Sequence, residues 1–223
     1  RREEPNWDLT IQDYFRTPVK PVLDGEPNYE YLPVGFDRTC QQGYFTELEV
    51  CKAAYRAVFA GACGHTYGHH SIWQMFDFGR AGALSPRVTW KEALNHPGAH
   101  CMTYLKRLIE SRPIMSCVPN QRLLTSDPGP GAAHIRATLD LDGRYAMIYI
   151  PTSQRTVEIQ MSMLQGPTIS AGWYDPRNGR YSTIGDFATR NVQSFVTPDH
   201  GPDWILVLDN KACRLSPPGM IRE

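Results

Sequence analysis

Residues 21–30 read PVLDGEPNYE: a short apolar run, Pro21 to Leu23, that stops on two acids, Asp24 and Glu26, against Pro27. An apolar run this short, closed by Gly and Pro, reads as a strand. On a strand, residues two apart share a face, so the two carboxylates are expected to converge on one ligand. The alternative on the same residues is that the acids cap the turn before Pro27 or pair with an arginine. The next ninety residues decide between fold classes. Thr46, with Glu49 three residues on, has the spacing of a capping box and predicts a helix over 46–60, with Leu48, Ala54, Tyr55, Val58 and Phe59 along its apolar stripe. GACGHTYGHHSIWQMF (61–76) then reads as a strand running into a loop, and HPGAHCMTYLKRLIESR (96–112) as a second helix with Pro97 in its first turn. Its apolar face takes in Met102, Leu105, Leu108 and Ile109. After an opening loop the order is β, α, β, α, the unit of parallel α/β folds, in which chemistry sits at the C-terminal ends of the strands.

From Pro113 the texture changes. RPIMSCVPNQRLLTSDPGPG (112–131) holds four prolines and reads as a connector. HIRATLDLDGRYAMIYIP (134–151) alternates around Asp142-Gly143, a hairpin signal, and ISAGWYDPRNGRYSTIGDF (169–187) repeats the arrangement around Asp175 to Gly179. DWILVLD (203–209) supplies a closing strand. Short strands without intervening helices predict an antiparallel β-sandwich. The fold class is therefore α/β plus all-β, with one domain over 1–119 and another over 120–223.

Composition narrows the function. The 223 residues carry 23 basic and 23 acidic side chains, so there is no electrostatic footprint of a nucleic-acid binder, and no apolar run is long enough to span a membrane. Six cysteines are scattered singly, without a C-x-x-C pair; Cys51, Cys63 and Cys101 read as small buried thiols, although an even count permits disulfides. In GHTYGHH, His65 and His69 have the spacing of two metal ligands on a helical turn, but Gly64 and Gly68 argue against a helix and no glutamate stands between the histidines. His65, Tyr67, His69, His70 and Trp73 beside a carboxylate suit a sugar instead, because aromatic planes pack on the C–H faces of the rings and imidazoles bond the hydroxyls. No metal and no cofactor is expected.

KPVLDGEPNYE (20–30), AGACGHTYGHHSIWQM (60–75), HPGAHCMTYLKRLIESRP (96–113), WYDPRNGRYSTIGDF (173–187) and DWILVLD together resemble the C-terminal half of the apiosidase-like glycoside hydrolases. The resemblance runs from about Pro18 to Asp209. It implies the last two β/α units of a TIM (β/α)8 barrel followed by a β-sandwich labelled as collagen-binding, with PVLDGE on the seventh barrel strand and GHTYGHH on the eighth. It places the catalytic nucleophile on Glu26. Asp24 and the histidines would orient it and bind sugar hydroxyls, and Trp73 would form a subsite wall. Retaining hydrolysis of a carbohydrate is implied, with release of apiose from a pectic side chain as the family's activity, in a secreted or periplasmic setting. The general acid/base of such barrels comes from about the fourth strand, so the chain reads as a fragment inactive by itself, unless Asp77 or Glu92 supplies the second carboxyl. A reading of another class is a carbohydrate- or protein-binding β-sandwich with a vestigial barrel segment, its platform built from Trp173, Tyr174, Tyr181 and Phe187; the same aromatics could instead pack the sandwich against the barrel. The sugar, the linkage and the oligomeric state are not readable.

Overall fold

A computed structural model describes residues 5–220. They form two compact units: the first takes in the described residues up to Val58 with Ala62–Thr103, the second Phe59–Gly61 with the described residues from Tyr104 on. Among the described residues no helix is long and apolar enough to cross a membrane.

In the first unit β1 (Leu23–Asp24) and β2 (Gly64–His65) pair in parallel, Leu23 against Gly64 and Asp24 against His65, with the helix Glu47–Phe59 between them in sequence. The β-α-β succession read from the sequence is therefore present. Where an opening loop was expected there is a helix, α1 (Asn6–Tyr14). It is anchored by Trp7, buried beneath the Arg56 guanidinium at 4.6 Å, and by buried Thr10. The next helix, α2 (Glu47–Phe59), starts as its caps predict: the Thr46 N–H donates to the Glu49 carboxylate at 2.7 Å, and the Leu48 N–H to the Thr46 hydroxyl at 3.3 Å. Its apolar stripe is wider than expected, since Ala53, Ala54, Tyr55, Arg56 and Ala57 are all buried. Two short helices come next, α3 (His70–Trp73) and α4 (Trp90–Ala93). Then α5 (Pro97–Glu110) buries Cys101, Leu105 and Leu108, on the face predicted for it. The buried-thiol reading is corrected for all three cysteines: Cys51 on α2 and Cys101 on α5 form a disulfide, with Cα atoms 6.1 Å apart, and Cys63 is exposed.

The second unit is built on a six-stranded antiparallel sheet. Its strands in spatial order are β3 (Cys117–Pro119), β4 (Arg136–Asp140), β5 (Tyr145–Ile150), β10 (Trp204–Asn210), β7 (Thr168–Tyr174) and β8 (Tyr181–Ala188). A two-stranded ribbon, β6 (Thr156–Gln160) with β9 (Val192–Val196), shares a core with it: Ile148, Leu206 and Ala171 from the sheet lie in one cluster with Val157, Ile159 and Phe195 from the ribbon. Both predicted hairpins form, with Gly143 at φ 64° and Gly179 at φ 70° in the left-handed conformation that a tight turn asks of glycine. DWILVLD does not close the sheet at an edge; β10 sits in its middle, between β5 and β7.

The central strands depart from alternation. Every residue of β5 is buried, because the second face of the sheet is covered too. Tyr145 donates to the Pro113 carbonyl at 3.2 Å, Tyr174 to the Tyr104 carbonyl at 2.9 Å, and Tyr149 meets Phe59 edge-on with ring centroids 6.4 Å apart. Arg112, its side chain fully buried, bonds Asp209 at 2.6 Å; burial pushes the Asp209 carboxyl up and the Arg112 charge opposes this, leaving it above its ordinary range. The connector is thus part of the structure, since Cys117–Pro119 pairs with β4. The aromatic platform does not form. Trp173 and Tyr174 are buried, Phe187 packs on the core, and the Tyr181 ring lies over Gly172, where a Cβ would come within 2.3 Å of it.

This covering predicts which segment folds alone. Residues 104–223 keep Tyr104, Arg112, Pro113 and β3, whereas residues 120–223 lose all four. Thermal melts of the two segments are expected to show a cooperative transition for the longer one and a lower, broader one for the shorter. Removing Arg112 alone from its buried pair is expected to cost about 3–5 kcal/mol.

Candidate active site

The ends of β1 and β2 lie side by side, and their register sets Asp24 beside His65. Oδ2 of Asp24 accepts from Nδ1 of His65 and from Nδ2 of Asn6, both at 3.0 Å. The Asn6 amide also donates to the Ala53 carbonyl at 2.8 Å, so α1 is tied at once to α2 and to the acid. Burial pushes the Asp24 carboxyl up, but the hydrogen bonds from His65 and Asn6 and the charge of His65 outweigh it, and the group lies below its ordinary value.

Glu26 lies past the end of the strand. It is exposed and makes no hydrogen bond or ion pair among the described residues. Asp24 and Glu26 line one cleft of about 740 Å³, together with Phe36, Phe45, Leu84 and Trp73. Trp73 is 54% exposed and Phe36 69%, a suitable presentation for sugar C–H faces. Of the seven site residues expected from the sequence, the structure therefore brings Asp24, Glu26 and Trp73 to one cleft and sets His65 behind Asp24.

The other three, Tyr67, His69 and His70, are not among the residues lining this cleft and lie on a largely buried hydrogen-bond network. Its centre is Glu30, fully buried and not singled out from the sequence although it closes the stretch PVLDGEPNYE. Oε2 of Glu30 accepts from the Tyr67 hydroxyl at 2.6 Å and from the Gly98 N–H at 3.1 Å. Residue 98 has to be glycine for this, since a Cβ would stand 2.3 Å from that oxygen. Burial lifts the Glu30 carboxyl above its ordinary value against the pull of Tyr67, Gly98 and His96, and burial with the Glu30 contact holds the Tyr67 hydroxyl protonated. His69 accepts the Ser71 N–H on Nδ1 at 3.0 Å, and its Nε2 meets Nδ1 of His96 at 3.1 Å. Burial and the neighbouring His96 and His70 press its pKa down to about 4. His70, fully buried, accepts from the Trp73 indole at 3.2 Å and donates to the Leu84 carbonyl at 3.1 Å, so it positions two cleft-lining residues from behind. His65 and His69 have separate partners and do not form the metal pair their spacing suggested.

Neither reserve carboxylate lines the cleft. Asp77 accepts the Phe78 N–H, and Glu92 completes a capping box with Thr89 at the start of α4. Asn6, Glu30, His96 and Gly98 are the site residues the sequence reading missed.

Because Asp24 in the folded chain lies below the unfolded value of about 3.9, its ionised form contributes stability above that pH and the contribution disappears as pH falls through the folded value. Asn6→Ala removes one of the two bonds that lower it. Urea melts at pH 6 should show a loss of about 1 kcal/mol for Asn6→Ala, and the gap from the parent chain should narrow as the pH is brought down to about 2.5.

Residues 1–116 match the family described as "Apiosidase-like, catalytic domain", and residues 118–209 match "Putative collagen-binding domain of a collagenase". Among solved structures, one described as "Glycoside hydrolase" is 33% identical with a TM-score of 0.86, the match covering 93% of this chain and 46% of that one. A second, a family 5 glycoside hydrolase from Bacteroides vulgatus ATCC 8482, is 30% identical with a TM-score of 0.87, over 96% of this chain and 48% of that one. No curated protein matches. The chain spans just under half the length of these two structures.

Proposed function

The chain belongs to the apiosidase-like family, and on that premise we propose that it forms part of a glycoside hydrolase acting on an oligo- or polysaccharide. In this reading residues 1–119 contribute the last two β/α units of a (β/α)8 barrel and residues 120–223 a β-sandwich. The parallel pairing of β1 and β2 across α2, and the shared core of the two antiparallel sheets, support that division.

One observation carries the reading: an exposed carboxylate, Glu26, unengaged among the described residues, follows a parallel strand and opens onto a cleft that it shares with Asp24 and Trp73. Glu26 is the nucleophile in this proposal. A retaining mechanism sets a second carboxyl about 5 Å from it, first as acid toward the leaving oxygen and then as base toward water. That second group comes from barrel strands beyond the two present here. Asp24, kept ionised by His65 and Asn6, bonds a sugar hydroxyl and fixes the approach to Glu26. Trp73 packs on the ring, with His70 holding its indole. Tyr67 and His69 brace the wall rather than touch the sugar. The reaction requires no metal and no cofactor. The Cys51–Cys101 disulfide supports a secreted or periplasmic setting, where such bonds persist.

The test is Glu26→Ala in the enzyme that carries the full barrel. Loss of a covalent nucleophile is expected to reduce kcat by more than about 10⁴-fold, beyond what general acid–base assistance alone supplies. Because Glu26 is exposed, the melting curve should stay within about 0.5 kcal/mol of the parent. A variant that keeps a tenth of the rate sinks the assignment.

A further inference from the structure

The loop that follows Trp73 is held rigid by its own side chains. Residues 75–82 run out from the end of α3 and return to Ala83, and the Gln74 amide closes them at the base. Its Oε1 accepts the Ala83 N–H at 2.8 Å, and its Nε2 donates to the Ala83 carbonyl at 3.3 Å and to the His70 carbonyl at 3.0 Å. Phe76 turns inward and is buried, its N–H on the Ser71 carbonyl at 2.9 Å and its carbonyl on the Trp90 N–H at 2.8 Å. Both charged side chains of the loop bond the loop itself: Asp77 accepts the Phe78 N–H at 2.9 Å, and Arg80 donates to the Met75 carbonyl at 3.2 Å. What is left facing outward is apolar. Met75 is 49% exposed and Phe78 69%, in the segment that directly follows the exposed Trp73.

We propose that residues 75–82 form an outer subsite of the cleft, in which Met75 and Phe78 receive a sugar unit beyond the one that meets Trp73. The inference rests on the cleft being a carbohydrate site and deepens that reading: the substrate is an oligosaccharide that continues past Trp73. Continuity with the cleft decides the occupant. Both ends of the loop carry cleft-lining residues, Trp73 before it and Leu84 after it. Buried His70 joins the two, accepting from the Trp73 indole and donating to the Leu84 carbonyl, so the loop is fastened to the cleft wall at its base. The chemistry of the exposed pair agrees, since a flat phenyl ring and a polarisable thioether suit the C–H faces of a sugar. Asp77 and Arg80 are of opposite sign, and the loop carries no net charge to attract an ionic ligand.

The backbone carries the mark of such a role. Met75, Leu84 and Ser85 hold φ of 48°, 54° and 51°, left-handed values that a residue other than glycine keeps only where its surroundings impose them, and residues of this kind cluster at ligand clamps. The return of the loop needs glycine at 82, where a Cβ would come within 2.4 Å of the Pro86 ring and 2.8 Å of the Phe76 ring. A loop constrained in this way has little freedom left to lose on binding, so the contacts it makes carry a small ordering cost.

The test uses the enzyme that carries the full barrel, as its Glu26→Ala variant so that nothing is turned over, with ¹³C-methyl methionine and ¹⁵N-indole tryptophan labels. Size-fractionated pectic oligosaccharides are the probe. The expected result is a Trp73 shift with every fraction and a Met75 shift with the longer fractions only. Phe78→Ala, a change at an exposed position, should weaken binding of the longer fractions by about 2- to 10-fold. A Trp73 response with Met75 silent at every length, or a Phe78→Ala enzyme that binds the longer fractions as its parent does, would overturn the outer subsite and leave the cleft reading standing. Silence at both Trp73 and Met75 would sink the two together. A Met75 shift that follows protein concentration with no sugar present would mean a second copy seated on the loop, and would overturn the subsite as well.

Discussion

The cleft depends on a seam of backbone hydrogen bonds between two segments some forty residues apart. Leu23 and Asp24 lie against Gly64 and His65, and the seam continues past the strands, with the Glu30 N–H on the Gly68 carbonyl at 2.9 Å and the His70 N–H on the Glu30 carbonyl at 2.8 Å. Each named strand is only two residues long, so the register rests on few bonds. A slip of one residue would move Asp24 away from His65 and put Leu23 or Gly25 in its place. Close packing guards against that slip. A Cβ at Gly68 would meet the Tyr29 ring at 2.4 Å, and one at Gly98 would meet the Glu30 carboxylate. These glycines are where backbone and buried side chain need the same space.

Local signals in the sequence were sound guides to local structure. The Thr46/Glu49 cap, Pro97 at the start of a helix and the glycine turns at 143 and 179 act within a few residues, and each was legible. Glu26 and Glu30 sit in the same ten residues with the same chemistry, yet one is exposed and the other fully buried. That difference is made by α5, which brings the Gly98 N–H to Glu30 from nearly seventy residues away. The cluster of histidines invited a reading by composition, as sugar or metal ligands. Their roles are decided by which groups, backbone or side chain, face each ring nitrogen, and the sequence carries no trace of that. Helix α1 was missed because Asn6–Tyr14 looks polar, and its one strong anchor, Trp7, is buried by a cation from another helix.

The two units manage buried polarity differently. In the first, Glu30 is fully buried with one oxygen held by Tyr67 and Gly98 and the other without a hydrogen-bond partner among the described residues. In the second, the charges are locked: Arg112 meets Asp209, and Arg144 bonds both oxygens of Asp140. A buried pair of this kind is weak evidence of stability, because desolvation offsets much of the attraction, but it discriminates strongly against wrong packings that would strand one partner.

β10 is the last strand of its sheet in sequence and one of the two central ones in space. During synthesis β5 and β7 emerge with no neighbour on the side where they will eventually meet it, each exposing an apolar edge. The sheet cannot assemble outward from an early hairpin; it waits for Trp204–Asn210 to leave the ribosome and slot between strands made long before. Nonlocal pairing of this kind is slow and leaves sticky intermediates in the meantime. A ribosome that stalls after residue 200 would release two half-sheets with the middle missing, a product bound for chaperones or proteases.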